Sequence, residues 1–246
     1  MTRENFEQTL VLIKPDAIKN SLTGYILSQL SEFHTGLRFA GARIVKVSRM
    51  LAEEHYAEHR GKPFFPGLLE YIMGCLHYPD APEKRHVIAF VYQGRDAILK
   101  IRDISGPTNP HAARDQKPGC IRALGTIVPV MDASGKQTGD RMDNLIHASA
   151  NAADAEREIK LWFRPVDIPP MMLAYETALC ADPFYFSKGK LHSAYEPGSI
   201  CLLSPGDVAW KSDLDALLAL RAGKPASCSV GTVAAKYLIN SQSSEK

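Results

Sequence analysis

The chain has 246 residues, 45% hydrophobic and 23% charged, and its 29 Lys and Arg against 27 Asp and Glu leave a net charge of +2. That profile excludes collagen-like, coiled-coil and disordered chains, and a chain of this length builds a core without covalent staples. So even a charge balance does not argue for a binder of duplex nucleic acid.

In chain order, residues 9–13 (TLVLI) read as a buried strand ended by Lys14-Pro15-Asp16. Ile26, Leu27, Leu30 and Phe33 recur at helical spacing, with Thr23 as the N-cap. Residues 37–50 hold the mixed run ARIVKVSRM, a half-buried strand; 53–60 form a short polar helix; KPFFPG follows. Residues 68–73 read as helix, 87–92 as strand, and 94–103 as helix with Ala97, Ile98 and Ile101 on one side. Residues 105–143, rich in Gly, Pro, Asp and Asn, show little periodicity and read as loops. Residues 145–149 (LIHAS) restore a strand, and Ala152, Ala155, Ile159 and Trp162 form a helical apolar stripe. This order fits the α+β class in its ferredoxin-like split βαβ form, a four-stranded antiparallel sheet with helices packed on one face.

Composition breaks at residues 164–170 (RPVDIPP), where three prolines end the helix. Beyond lie the aromatic stretch DPFYF and a short helix opened by Ser212-Asp213-Leu214-Asp215 and closed by Gly223. A last helix carries Val233, Ala234, Tyr237 and Leu238 ahead of the polar tail SQSSEK. The expected division is a main domain over 1–163 and a C-terminal extension over 164–246, too apolar for a loose tail and packed on the main domain.

Five cysteines, Cys75, Cys120, Cys180, Cys201 and Cys228, are odd in number, widely spaced and free of any CxxC. No disulfide framework or cysteine zinc site is suggested, which favours a reducing compartment. The apolar run at residues 10–13 is too short for a signal peptide, and no stretch reaches the ~20 apolar residues of a membrane span. A cytoplasmic protein with no membrane partner is expected.

Neither GxxxxGK[ST] nor GxGxxG occurs, so any bound phosphate is met by side-chain cations and hydroxyls. His55-Tyr56-Ala57-Glu58-His59 reads H-x-x-E-H, which on a helix would set His55 and His59 on one face for zinc with Glu58 beside them. The alternative is a polar surface helix with i,i+4 charge pairs. In LIHAS, alternation puts Leu145, His147 and Ser149 on one face. Glu158, on the following helix, folds back over that strand. A carboxylate holding one imidazole proton leaves the other nitrogen free to attack. Asn144 lies three residues before His147 and faces the same site only from a preceding loop or bulge.

The segments TLVLIKPDA, EEHYAEHRGKPFFPGL, PTNP, KPGCIR and NLIHASANAADAEREIKLWF resemble, in order, those of nucleoside diphosphate kinases, over residues 8–163. The resemblance implies ping-pong transfer of a γ-phosphate from a nucleoside triphosphate such as ATP to a nucleoside diphosphate, with Mg²⁺ carried by the nucleotide. His147 matches the phosphorylated histidine and Glu158 the carboxylate that orients it. Lys14 matches the lysine near ribose and phosphate, and Tyr56 the tyrosine that positions histidine and phosphate. Phe64 matches the aromatic that stacks on the base, with Leu68 beside it and Phe65 read as core. Arg102, Thr108 and Arg122 match the phosphate-binding set, Asn144 the contact to the ribose 3′ hydroxyl, and Ser149 the serine two after the histidine. A homo-oligomer is expected, and no nucleic acid is required.

The sequence departs from the family pattern at Ala148, where Gly is common, and at Ala150, where an acid is common. Residues 74–86 and 123–143 read as insertions, the second bordering the nucleotide pocket. Two other readings are a catalytically silent nucleotide-binding or scaffolding relative and a zinc peptidase using His55, Glu58 and His59. The intact set from Lys14 to Glu158 argues against the first.

Overall fold

The computed structural model describes residues 6–238; the tail SQSSEK lies outside the described residues. The first part of the chain runs β1 (Phe6–Ile13), α1 (Pro15–Lys19), α2 (Thr23–Gln29), α3 (Glu32–Thr35), β2 (Arg38–Val45), α4 (Arg49–His55), α5 (Phe65–Ile72), β3 (Val87–Arg95) and α6 (Ala97–Ser105). There follow α7 (Pro110–Gln116), β4 (Thr126–Met131), β5 (Gln137–Asp143), β6 (Ile146–Ala148) and α8 (Ala152–Trp162). The four-stranded sheet has the order β2-β3-β1-β6 with every pair antiparallel, as expected.

Helices cover both faces of this sheet, not one. Leu10 and Leu12 of β1 enter a core with Leu51, Leu69, Ile72, Ile159 and Trp162, while Val11 and Ile13 enter a second with Ala17, Ile26, Leu30 and Ile101. The run from Leu10 to Ile13 is continuously apolar because a central strand buried on both faces has no side to leave polar.

Three local expectations change. Thr23 is the first helical residue rather than the cap, which is Leu22 without a side-chain bond. The stripe through Phe33 is broken because Ser31 caps a separate helix, accepting from the amide of His34, and Phe33 is 100% exposed. The reading of 105–143 as loops misses α7 and a hairpin, β4 with β5. Asp132 closes that hairpin by accepting the amides of Ser134 and Lys136, while Gly135 takes φ +81°.

Beyond α8 the chain forms β7 (Thr177–Leu179), β8 (Phe184–Ser187), β9 (Lys190–His192), β10 (Ile200–Leu203), β11 (Val208–Trp210), α9 (Lys211–Arg221) and α10 (Val230–Tyr237). Phe184, Leu203, Leu214, Leu217 and Val233 make a core of their own. Trp210 and Ala235, however, belong to the same cluster as Leu10, Ile159 and Trp162, and the Trp210 indole donates to the carbonyl of Phe163 at 2.8 Å. Among the described residues no helix is long and apolar enough to cross a membrane.

Candidate active site

The site is assembled where β1 ends and β6 begins. Lys14 and Asp16 grip Leu145 from both sides: the Lys14 amide donates to its carbonyl at 2.9 Å, and its amide donates to Asp16 Oδ2 at 2.8 Å. Leu145 has φ +70°, and the amide of Ile146 donates to the carbonyl of Asn144 at 2.8 Å, a three-residue γ-turn of the rare, strained hand. The turn sends Leu145 into the core with Ile13 and Ile146, so it does not share the face of His147 and Ser149 that alternation predicts. It also brings Asn144 to the site from the loop, as the odd spacing required. Asn144 accepts from the Lys14 ammonium and donates from Nδ2 to the Thr108 carbonyl at 2.8 Å.

His147 and Ser149 converge on Glu158. The carboxylate's Oε2 lies 2.8 Å from His147 Nε2 and accepts the Ser149 hydroxyl at 2.7 Å. Glu158 is buried, which works against its charge; the His147 and Ser149 contacts and nearby His55 outweigh this and hold its carboxyl at about 2. An ionised carboxylate only accepts, so the His147 proton sits on Nε2 and the Nδ1 lone pair is free. The turn into α8 is fixed by Asn151, which caps the helix by accepting the amide of Asp154 at 2.9 Å.

Tyr56 caps the C-terminus of α4, its ring centroid 4.5 Å from that of His55. Burial, and then Glu158 and Asp16, push its phenol pKa up, so the hydroxyl remains a donor. Burial lowers the Lys14 pKa to about 8, with Asp16 opposing the shift, and its ammonium lies 4.5 Å from the centroid of the Tyr71 ring.

Arg122 is buried, donating to the carbonyls of Gly106 at 2.9 Å and Ile146 at 3.2 Å. Burial and the neighbouring Arg102 draw its pKa down to about 10. Cys120 packs against the same glycine: at φ +80° a Cβ on Gly106 would sit 2.2 Å from Cys120 Sγ. Arg102 in α6 and Thr108 beyond it are exposed. Phe64, 54% exposed just before α5, stands edge-on to His59 at 5.5 Å; Leu68 is half-buried on α5, and Phe65 packs on the core.

The zinc motif does not survive folding. α4 ends at His55, and His59 lies in a separate 3₁₀ turn (Ala57–His59), so no helical face carries both. His55 is buried and accepts the Trp162 indole N–H at Nδ1, 3.2 Å away. An indole only donates, so His55 carries its proton on Nε2, with no lone pair there for a metal. The same tautomer argues against a metal held by His55, His147 and Glu158, whose ligand atoms lie within 4.8 Å of one another.

Sequence reasoning missed Asp16, Gly106, His77 and the His55–Trp162 pair as parts of this site. Asp16 stands inside IKPD, but its partner Leu145 is remote in sequence. The segments 74–86 and 123–143 also meet here: His77 Nε2 lies 3.0 Å from Asp143 Oδ2, and Arg141 donates to both Asp143 oxygens at 2.7 and 3.0 Å. Burial opposes the Asp143 charge, but these bonds prevail and lower its pKa.

The family model described as nucleoside diphosphate kinase matches residues 7–168. The nucleoside diphosphate kinase of Thermococcus kodakarensis is 35% identical over 202 residues, covering 82% of this chain and 99% of that protein. The Aquifex aeolicus enzyme's crystal structure superposes with a TM-score of 0.53 at 30% identity, over 67% of this chain and 99% of that one. A Borrelia burgdorferi nucleoside-diphosphate kinase, solved as a transition-state mimic with vanadate and ADP, gives a TM-score of 0.52 at 29% identity, over 70% of this chain and 93% of that one.

Proposed function

Because the chain belongs to the nucleoside diphosphate kinase family of phosphotransferases, we propose that it transfers the γ-phosphate of a nucleoside triphosphate to a nucleoside diphosphate through a phosphohistidine at His147. The observation that carries this reading is the 2.8 Å contact between His147 Nε2 and Glu158, which leaves Nδ1 as the nucleophile.

In the first half-reaction the Nδ1 lone pair attacks the γ-phosphorus, the N–P bond forms, and the bond to the β-phosphate oxygen breaks. The nucleoside diphosphate leaves, and Glu158 stabilises the imidazolium character that develops on His147. In the second half-reaction a β-phosphate oxygen of another diphosphate attacks the phosphohistidine and frees Nδ1. Arg102, Arg122, Thr108 and Lys14 supply the charge and donors that a P-loop would otherwise provide. Tyr56, kept protonated, donates toward the transferring group. Asn144 meets the ribose, and Phe64 stacks on the base, a tolerant contact because every base has a π-face, while Leu68 lines the same slot.

Mg²⁺ enters with the nucleotide. Asp143 and Glu158 already hold cationic or N–H partners, and Asp16 gives one oxygen to Leu145, so the donor set suits a cation brought by phosphates rather than one held by the protein. On this reading residues 1–163 carry the catalytic centre, 164–246 pack on it, and the protein works in the cytoplasm as a homo-oligomer.

The test is phosphoenzyme formation. Protein mixed with Mg²⁺ and γ-labelled ATP should acquire acid-labile label that GDP removes and His147→Ala abolishes. A folded protein that takes no label sinks the catalytic reading.

A further inference from the structure

Glu54 stands in α4, next to His55 and two residues before Tyr56, and its carboxylate ties together two remote segments. Oε2 accepts the hydroxyl of Thr232, from α10, at 2.9 Å, and Oε1 accepts Arg60 at 2.5 Å. The proton order is determined. Thr232 gives its only hydroxyl proton to a carboxylate that can only accept, so Ser229, 3.0 Å away, donates to the Thr232 oxygen. Ser229 is in turn the N-cap of α10, accepting the Thr232 amide at 3.1 Å. A single chain of bonds therefore runs from the start of α10 through Thr232 and Glu54 to Arg60.

Arg60 opens the segment that leads to Phe64, and residues 60–64 are all exposed. Gly61, at φ +82° with open space around it, adds no packing, and the segment's own contacts are confined to its neighbourhood: Lys62 Nζ lies 2.9 Å from His59 Nδ1 and 5.8 Å from the centroid of the Phe64 ring. The same stretch of α4 is held from behind by Arg157, which donates to the Glu54 carbonyl at 3.2 Å and lies 3.5 Å from Glu158. Thr232 lies outside the residues matched by the family model, which end at 168.

We propose that the C-terminal extension positions the nucleotide site: Thr232, acting through Glu54 and Arg60, fixes the 60–64 segment so that Phe64 is held ready for the base. This rests on the reading of Phe64 as the base-stacking residue. A segment ordered in advance binds without first losing its freedom, so the extension raises affinity while leaving the phosphoryl chemistry to His147. Thr232 is a positioning residue, and its removal affects recognition of the base rather than of the ribose and phosphates.

The experiment compares calorimetric binding of ADP with that of ribose 5-diphosphate, which lacks a base, to the full chain. Thr232→Val should weaken ADP about 3- to 10-fold and leave ribose 5-diphosphate unchanged, as expected for loss of one ordinary, part-buried hydrogen bond. Thr232→Ser should restore ADP binding. Arg60→Met should match Thr232→Val, and the double variant should lose no more than the larger single change, because both cut one chain of bonds. Melting curves establish that each variant is folded. Unchanged ADP affinity in folded Thr232→Val overturns the proposal, as does an equal loss for both ligands. Wild-type protein that binds no ADP overturns it too. Labelling of His147 is read separately: failure to label with the Thr232 effect intact defeats the kinase reading and leaves this one standing.

Discussion

The indole of Trp162 donates to Nδ1 of His55 across 3.2 Å, and this bond decides which nitrogen of the ring beside His147 carries a proton. The His55 and His147 rings meet edge-on with centroids 4.6 Å apart. Burial and the neighbouring His147 push the His55 pKa well below its ordinary value, so His55 is neutral. Trp162→Phe keeps an aromatic ring but orphans a buried acceptor. We expect a loss of about 1–3 kcal/mol, read in a thermal melt. The ¹⁵N shifts of His55 should show the fixed tautomer giving way to a mixture.

Glu158→Gln should lower kcat by roughly 10²–10⁴, because an amide neither fixes the His147 tautomer nor balances its developing charge. KM should move only a few-fold, since Glu158 faces the histidine and not the nucleotide. Steady-state kinetics at saturating second substrate separates the two.

The same carboxylate governs the acid limb of stability. Its folded pKa of about 2 lies below the 4.5 of a free glutamate. Its contribution is therefore complete above pH 4.5 and disappears as pH falls through 2, on the order of 3 kcal/mol for a buried group. Denaturant melts from pH 7 to pH 2 should show this fall in the wild type and a flatter limb in Glu158→Gln.

Lys14 is expected to set the alkaline limb of activity. Burial brings its pKa to about 8, so in the free enzyme it loses its charge above that pH, and kcat/KM for an anionic substrate declines. Stability runs the other way: the unfolded chain holds this proton up to higher pH, so the folded state gains as pH rises from 8 toward 10.5. A pH–rate profile beside a pH–stability profile would show the opposed slopes. In Lys14→Arg the alkaline decline should vanish, because a guanidinium stays charged.

Gly106→Ala should disturb the proposed phosphate site through Arg122 without replacing any residue proposed to touch phosphate. The new Cβ would meet Cys120 Sγ at 2.2 Å and Cys120 Cβ at 2.8 Å, and the backbone at φ +80° resists a side chain. Displacing Gly106 moves the carbonyl that holds Arg122. We expect a loss of about 1–3 kcal/mol together with weaker nucleotide binding, followed by melting temperature and calorimetry.

The sheet was legible where one signal dominated. TLVLI and the strand through Val91 are apolar runs that only central strands make, and the stripe of α8 has clean helical spacing. The γ-turn at Leu145 was not, because alternation assumes extended backbone and one left-handed residue reverses a side chain. Phe33 failed for a related reason: Ser31 restarts the helix and resets its phase. In the hairpin, Pro129 hides TIVPVM as a strand, although Asp132-Ala133-Ser134-Gly135 is a turn signal. The extension's strands, mostly three or four residues long, are too short for any period to show. For the site, periodicity reached only His147, Ser149 and Glu158. Arg102, Thr108 and Arg122 came from the family resemblance, since isolated cations and hydroxyls in irregular segments carry no pattern. Trp162 reads as part of an apolar stripe, and nothing local reveals that its N–H serves a histidine 107 positions away.

Both tryptophans of the chain, Trp162 and Trp210, are buried in one cluster, although the proline-rich break at 164–170 lies between them. The core is thus continuous across the boundary visible in the sequence. Intrinsic emission from the two indoles is expected to shift in one step on unfolding, because both report on the same cluster. Cutting the chain there would open a wall of the core that also holds Leu10, Leu12 and Ile159.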